Sequence, residues 1–166
     1  MQSLTHSAPL IALLLACVVC AAQDAGKKKE PMRFGMEVDQ TTFPQQTPKD
    51  AMKSIAKALD RNKIDYLLAH LADPAHVDYW VDLYKKDFPK GSDAGKRLLA
   101  FDRLSRETNE YFLNDPLIVK DLRVFAKQAE WKEDEKVAIG SVESIPARKV
   151  YFKKIGDRWF LENRQQ

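Results

Sequence analysis

The sequence predicts an α+β domain in which N-terminal helices pack on a curved, C-terminal antiparallel sheet of about four strands. Between Met52 and Ala129, apolar residues recur at helical spacing in segments separated by capping and proline signals. After Ala129 the pattern changes to short β-prone runs divided by turn residues. The run from Lys149 to Glu162 can fold back on itself around Gly156-Asp157, a two-residue loop of the kind that joins antiparallel strands.

Ahead of this domain, residues 1–22 read as a signal peptide. From Leu10 to Val19 nearly every residue is Leu, Ile, Val or Ala, and Pro9 to Ala22 holds no charged side chain. The run suits the apolar part of a signal peptide and falls short of the ~20 residues a spanning helix needs. Val19-Cys20-Ala21-Ala22 ends it in small residues and polar Gln23-Asp24 follow, so cleavage is expected after Ala22. The alternative is bacterial lipoprotein processing at Leu14-Leu15-Ala16-Cys17, with lipid on the Cys17 thiol, although Leu15 fits that motif poorly. The protein is therefore expected to be exported, periplasmic or secreted, and to hold a membrane only if Cys17 is lipidated. Both cysteines lie in the leader. A mature chain starting at Gln23 is cysteine-free, which excludes disulfides, thiolate metal sites and cysteine nucleophiles. The roughly 140 residues that remain fall within the range of one domain stabilised by burial alone.

Residues 23–46 read as a flexible linker, because Lys27-Lys28-Lys29, Pro31, Gly35 and Pro44 interrupt any regular pattern. Within it Met32, Phe34, Met36 and Val38 alternate with polar residues or glycine, a pattern compatible with an added strand. The single α+β domain, residues 47–166, opens at Thr47-Pro48-Lys49-Asp50, which combines a capping hydroxyl, a first-turn proline and an acidic residue. Met52, Ile55, Ala56 and Leu59 stripe the first helix, and Ile64, Leu67, Leu68 and Leu71 the second. Asp73-Pro74 starts a third, striped by Val77, Trp80, Val81, Tyr84 and Phe88. After the turn at Pro89-Lys90-Gly91-Ser92, Leu98, Phe101, Leu104 or Ser105, Thr108 and Phe112 define a longer fourth helix. Asn114-Asp115-Pro116 repeats the capping signal before a fifth with Ile118, Leu122, Phe125 and Ala129 on its buried side.

Trp131, Val137, Ile139, Val142, Ile145, Val150, Tyr151 and Phe152 mark the strand region. A Gly156-Asp157 loop sets Phe152 opposite Leu161 and Lys154 opposite Trp159, with Val150, Phe152, Trp159 and Leu161 facing the helices. The second face then carries Tyr151 with Glu162 and Lys153 with Phe160.

Charge is nearly balanced, with 27 basic against 24 acidic residues and a net of +3. That balance argues against nucleic acid as a partner. No Gly-rich phosphate loop and no Gly-x-Ser-x-Gly elbow occurs. His70 and His76 match no ligand spacing, so neither a metal nor another cofactor is expected. His70 falls beside the stripe of its helix.

Taken together, Thr47-Pro48-Lys49-Asp50-Ala51, the segment Leu67-Leu68-Ala69-His70-Leu71-Ala72-Asp73 and the closing Lys154-Ile155-Gly156-Asp157-Arg158-Trp159-Phe160-Leu161 resemble the nuclear transport factor 2-like superfamily, in an exported bacterial branch. The resemblance spans Thr47 to about Asn163 and lies in short, fold-level motifs. It implies a cone of helices and curved sheet whose open end takes small molecules, partner proteins or a second copy through the sheet. The family includes ketosteroid isomerase and polyketide cyclases. This chain departs from the family order by placing every expected helix before the sheet.

Two classes of function follow. The first is a non-enzymatic exported module that binds a small ligand or protein partner through aromatic residues surplus to a one-sided core, namely Tyr66, Tyr79, Tyr151 and Phe160. The second is an isomerase- or cyclase-type enzyme using a cavity carboxylate, for which Asp78 and Asp82, one helical turn apart near Tyr79, are the candidates. Both aspartates lie off the apolar stripe, where a solvated face is the expectation. A third arrangement, a lipid-anchored envelope scaffold, follows if Cys17 is retained.

Overall fold

A computed structural model describes residues 32–164. Its elements run α1 (Pro48–Asp60), α2 (Ile64–Tyr66), a π-helical turn (Leu67–Leu71), α3 (Pro74–Tyr84), α4 (Asp93–Asn114) and α5 (Pro116–Gln128). Four strands follow, β1 (Glu130–Glu133), β2 (Val137–Ser141), β3 (Lys149–Ile155) and β4 (Arg158–Glu162). The strands form one antiparallel meander in the order β1-β2-β3-β4. The fold is α+β, with the sheet after the helices.

The helix starts are set by local chemistry. The Thr47 hydroxyl accepts from the Asp50 amide at 3.0 Å and donates to the Asp50 carboxylate at 2.7 Å, a reciprocal cap with Pro48 at the first helical position. The side chains of Asp73, Ser92 and Asp115 likewise accept backbone amides at the starts of α3, α4 and α5. The β3–β4 hairpin turns at Gly156, whose φ of 63° suits a residue without a Cβ. Its register places Phe152 opposite Leu161 and Lys154 opposite Trp159. Val150, Phe152 and Trp159 are buried in the core beneath the helices. Trp131 crosses the strand above Gly140, where a Cβ would lie 2.8 Å from the indole and 2.7 Å from a Val150 methyl. Gly140 is thus the gap that lets Trp131 lie against the sheet.

Four expectations are corrected. The stretch read as a flexible linker is, from Met32 onward, part of the packed domain. Phe43 and Gln45 are buried, and Gln45 donates from Nε2 to the Trp159 carbonyl at 2.8 Å while accepting the Trp159 amide on its own carbonyl at 3.0 Å. Lys57 donates to the Thr42 carbonyl at 2.9 Å and Ser54 to that of Pro44 at 2.7 Å. Polar composition concealed a segment that clips onto a strand edge through its backbone.

Second, the alternating Met32 to Val38 run is a reverse turn rather than a strand, closed by paired Arg33 and Met36 backbone bonds, with Phe34 and Gly35 at φ 50° and 79°. Phe34 is held there by stacking on Phe101 with centroids 4.0 Å apart. Third, the second helix tightens to three α-helical residues and then widens into the π turn, marked by the Ala72 amide bonding to the Leu67 carbonyl at 2.8 Å. The inserted residue breaks the 3.6-residue stripe, and all of Leu67, Leu68, Ala69, His70 and Leu71 become buried. Fourth, Val142 and Ile145 belong to the β2–β3 connection, where the Ile145 amide bonds to the Val142 carbonyl.

The π turn leads directly onto the sheet. Ala72 forms an isolated parallel bridge with Leu161, and the Asp73 amide donates to the Leu161 carbonyl at 2.8 Å. The outer edge of β4 is therefore covered by Gln45 at one end and Ala72-Asp73 at the other.

Candidate functional site

Between α3, α4 and the β3–β4 end of the sheet lies an open groove of about 610 Å³. The helical stripe of α3 explains its wall. Val77 and Val81 reach full burial, while Trp80 and Tyr84, one turn apart on the flank of that stripe, face the groove. Opposite them α4 contributes Leu104, Thr108, Tyr111 and Phe112, and the sheet contributes Val150 and Leu161. Leu67 and Leu68 of the π turn complete the lining. The lining is mostly apolar.

Its polar groups come in bonded sets. At the α3–α4 side, the Tyr84 hydroxyl donates to Glu107 Oε2 at 2.6 Å, and Arg103 Nε donates to Glu107 Oε1 at 2.8 Å. The Arg103 guanidinium also donates to Asp87 at 2.6 Å and lies 4.3 Å from the centre of the Tyr84 ring. The Tyr84 bond, aided by Arg103, holds the Glu107 carboxyl below its ordinary pKa. The same bond, with some burial, raises that of the Tyr84 phenol. Glu107 is thus a carboxylate and Tyr84 a neutral donor.

At the sheet side, Arg164 contacts Glu162 Oε2 through Nε and Nη2, each at 2.9 Å, and stands 4.8 Å over the Tyr151 ring. The Asn163 amide donates to His76 Nε2 at 3.1 Å. Tyr111, Lys149, Val150 and Arg164 also line an adjoining cleft of about 440 Å³ under α5, so they mark the end of the groove away from Tyr84 and Glu107.

The four aromatics proposed from sequence are not brought together. Tyr151 lines the groove, at its rim. Tyr66 is a core residue between Phe43 and His70, with centroids at 4.4 and 4.9 Å, and its hydroxyl accepts the Asp39 amide at 2.9 Å. It is buried although it lies off the apolar stripe, because Phe43 and the Asp39 backbone of the preceding segment pack against it. Tyr79 is 64% exposed on the outer side of α3, with its ring edge-on to Trp80. Phe160 is only 3% exposed; Arg158 lies 4.9 Å over its ring and the neighbouring Lys153 reaches Asp73 at 3.6 Å. The second face of the hairpin is covered by cationic stems there rather than open to a ligand.

Sequence reasoning missed Trp80, Tyr84, Glu107 and Tyr111 as a set. The available signal was the bulk of Trp80 and Tyr84 on one margin of the α3 stripe, more than a two-valine seam requires.

Asp78 and Asp82 lie outside the groove. Arg33 and Arg97 both donate to Asp78 Oδ1, at 3.1 and 3.0 Å, and Asp82 is bonded by Arg97 with Lys85 at 3.8 Å. They are ion-paired on a partly exposed surface rather than simply solvated. His70 is 1% exposed and donates from Nε2 to the Met36 carbonyl at 3.1 Å; burial lowers its pKa, with Arg158 and Arg33 adding to the effect. It fastens residues 36–43 to the π turn.

Among the described residues no cluster of three His, Cys, Asp or Glu side chains is arranged to hold a metal ion. No helix among them is long and apolar enough to cross a membrane. Cys17 and the expected signal peptide, residues 1–22, lie outside the described residues. Compared with known proteins, the chain matches no family model, no curated protein and no solved structure.

Proposed function

We propose that this protein is an exported binding module that takes a small, largely apolar molecule into the groove between α3, α4 and the β3–β4 end of the sheet. The observation that carries this reading is the groove itself, a 610 Å³ concavity with an apolar lining and a few convergent polar groups. A binding role is favoured over isomerase-type chemistry because the paired aspartates on which that chemistry would rest are held by arginines outside the groove. The nuclear transport factor 2-like resemblance is kept for its layer arrangement, with a ligand held between helices and an antiparallel sheet.

The experiment is a titration with the apolar fluorophore N-phenyl-1-naphthylamine. Saturable binding is expected, and Leu104→Trp, which fills the groove from α4, should weaken it at least tenfold with the melting transition retained. Absence of saturable binding to the folded protein would refute the proposal. Export rests on the apolar leader, and mass spectrometry of the mature N-terminus tests it. A start at Gln23 supports a released protein; a lipidated Cys17 would make the module a membrane-anchored one.

A further inference from the structure

The polar groups of the groove restrict what it can hold, granted that it is a binding site as proposed above. The Tyr84 hydroxyl hydrogen is committed to Glu107, so the phenolic oxygen offers a ligand only lone pairs. Glu107, a carboxylate, likewise offers only acceptors. This spot therefore requires a hydrogen from the ligand, and a ketone, ether or ester oxygen placed here would meet lone pairs on both sides.

Two kinds of ligand group could bring that hydrogen, an alcohol or an ammonium. Glu107 is bonded by Arg103 at 2.8 Å, whose guanidinium would repel a second cation at that carboxylate; Asp87, which shares the guanidinium, is exposed and outside the groove lining, where solvent screens its charge. An ammonium would lose its hydration in an apolar groove and gain in return only a carboxylate already bonded to a guanidinium. A carboxylate fares no better. It is repelled by Glu107 at one end, and at the other Arg164 is already answered by Glu162 and Lys149 is itself engaged. We infer that the ligand is an uncharged apolar molecule bearing a hydroxyl group, seated with that hydroxyl against Tyr84 and Glu107.

The test is competition on the full chain at pH 7.5. N-phenyl-1-naphthylamine is displaced with three ligands of one chain length, 1-decanol, decanoate and decylammonium. Decanol should displace the probe at a concentration at least tenfold below that of either charged ligand. Glu107→Gln replaces a carboxylate with an amide, leaves Arg103 paired with Asp87 alone and removes the negative charge from the groove, so it should weaken decanol at least fivefold and strengthen decanoate. Tyr84→Phe, which keeps the wall but removes the hydroxyl, should weaken decanol with little effect on decanoate and serves if the Gln variant does not fold. Equal or tighter competition by decanoate or decylammonium, or an unchanged ranking in the variants, would overturn the inference while leaving a binding groove in place. Failure of the fluorophore and of all three ligands to bind would remove the groove reading itself.

Discussion

Gln45 offers the sharpest test of how residues 32–46 belong to the domain. Its side chain is fully buried, and its Nε2 donates to the Trp159 carbonyl on the outer edge of β4. Gln45→Leu keeps nearly the same volume but removes that donor, leaving a buried backbone acceptor facing a methyl group. Such an orphaned group costs about 1 to 3 kcal/mol, which is roughly a 5- to 150-fold loss in the folding equilibrium. At roughly 2.1 cal/mol/K of unfolding entropy per residue, the melting temperature of a domain of this size should fall by about 3 to 11 °C. Urea unfolding followed by tryptophan fluorescence reads the change as a lower midpoint at constant slope. The neighbouring Gln46 is exposed and its amide reaches only Gln40 at 3.3 Å, so Gln46→Leu should stay within about 0.5 kcal/mol of the parent. Indistinguishable midpoints for the two variants would refute the reasoning and return this segment to the status of a tether.

Acidification should destabilise the protein through His70. Its folded-state pKa is depressed by burial, so the unfolded chain binds the proton more readily; the stability present above the unfolded value, about 6.5, is lost as pH falls below it. The slope is up to about 1.4 kcal/mol per pH unit and should disappear in His70→Gln, as read by urea midpoints between pH 7.5 and 5.5. Phe152→Ala empties the fully buried centre of β3 and should cost about 3 to 5 kcal/mol by the same assay. Gly140→Ala drives a methyl group to within 2.8 Å of Trp131 and 2.7 Å of Val150, and should cost about 1 to 3 kcal/mol with an altered near-ultraviolet tryptophan signal. Thr47→Ala removes the α1 cap and should cost about 1 kcal/mol in thermal unfolding.

What was legible in the sequence was what local chemistry decides. Thr47, Asp73 and Asp115 cap helices through bonds to residues two or three positions away, so short windows sufficed to place them. The hairpin register was readable because Gly156-Asp157 leaves one alignment that keeps Phe152 and Trp159 on the same face. The π turn was not readable, since its extra residue is stabilised by burial between distant elements, and the phase assigned to His70 failed with it, while Tyr66 is buried by Phe43 of the preceding segment. The clip of residues 32–46 was hidden for another reason. Its anchors are backbone carbonyls of Met36, Thr42 and Pro44, which composition does not distinguish from those of any loop. The groove is lined by α3, α4 and the β3–β4 strands together, and no periodicity within one segment encodes how separate elements pack. Of the residues proposed to contact a ligand, Tyr151 lines the groove and Tyr66 is a core residue.

The covered edge of β4 bears on how this protein behaves at high concentration. Strand-by-strand polymerisation requires an unsatisfied backbone row, and along β4 Gln45 and Asp73 of the same chain already occupy it. Growth is confined to β1, a strand of four residues in which Glu130, Lys132 and Glu133 surround a single tryptophan. A short, charged terminus of this kind is a poor template for a foreign strand. One border of the sheet is sealed by its own chain and the other is guarded by charge, which lets a cysteine-free domain stay dispersed without a covalent staple.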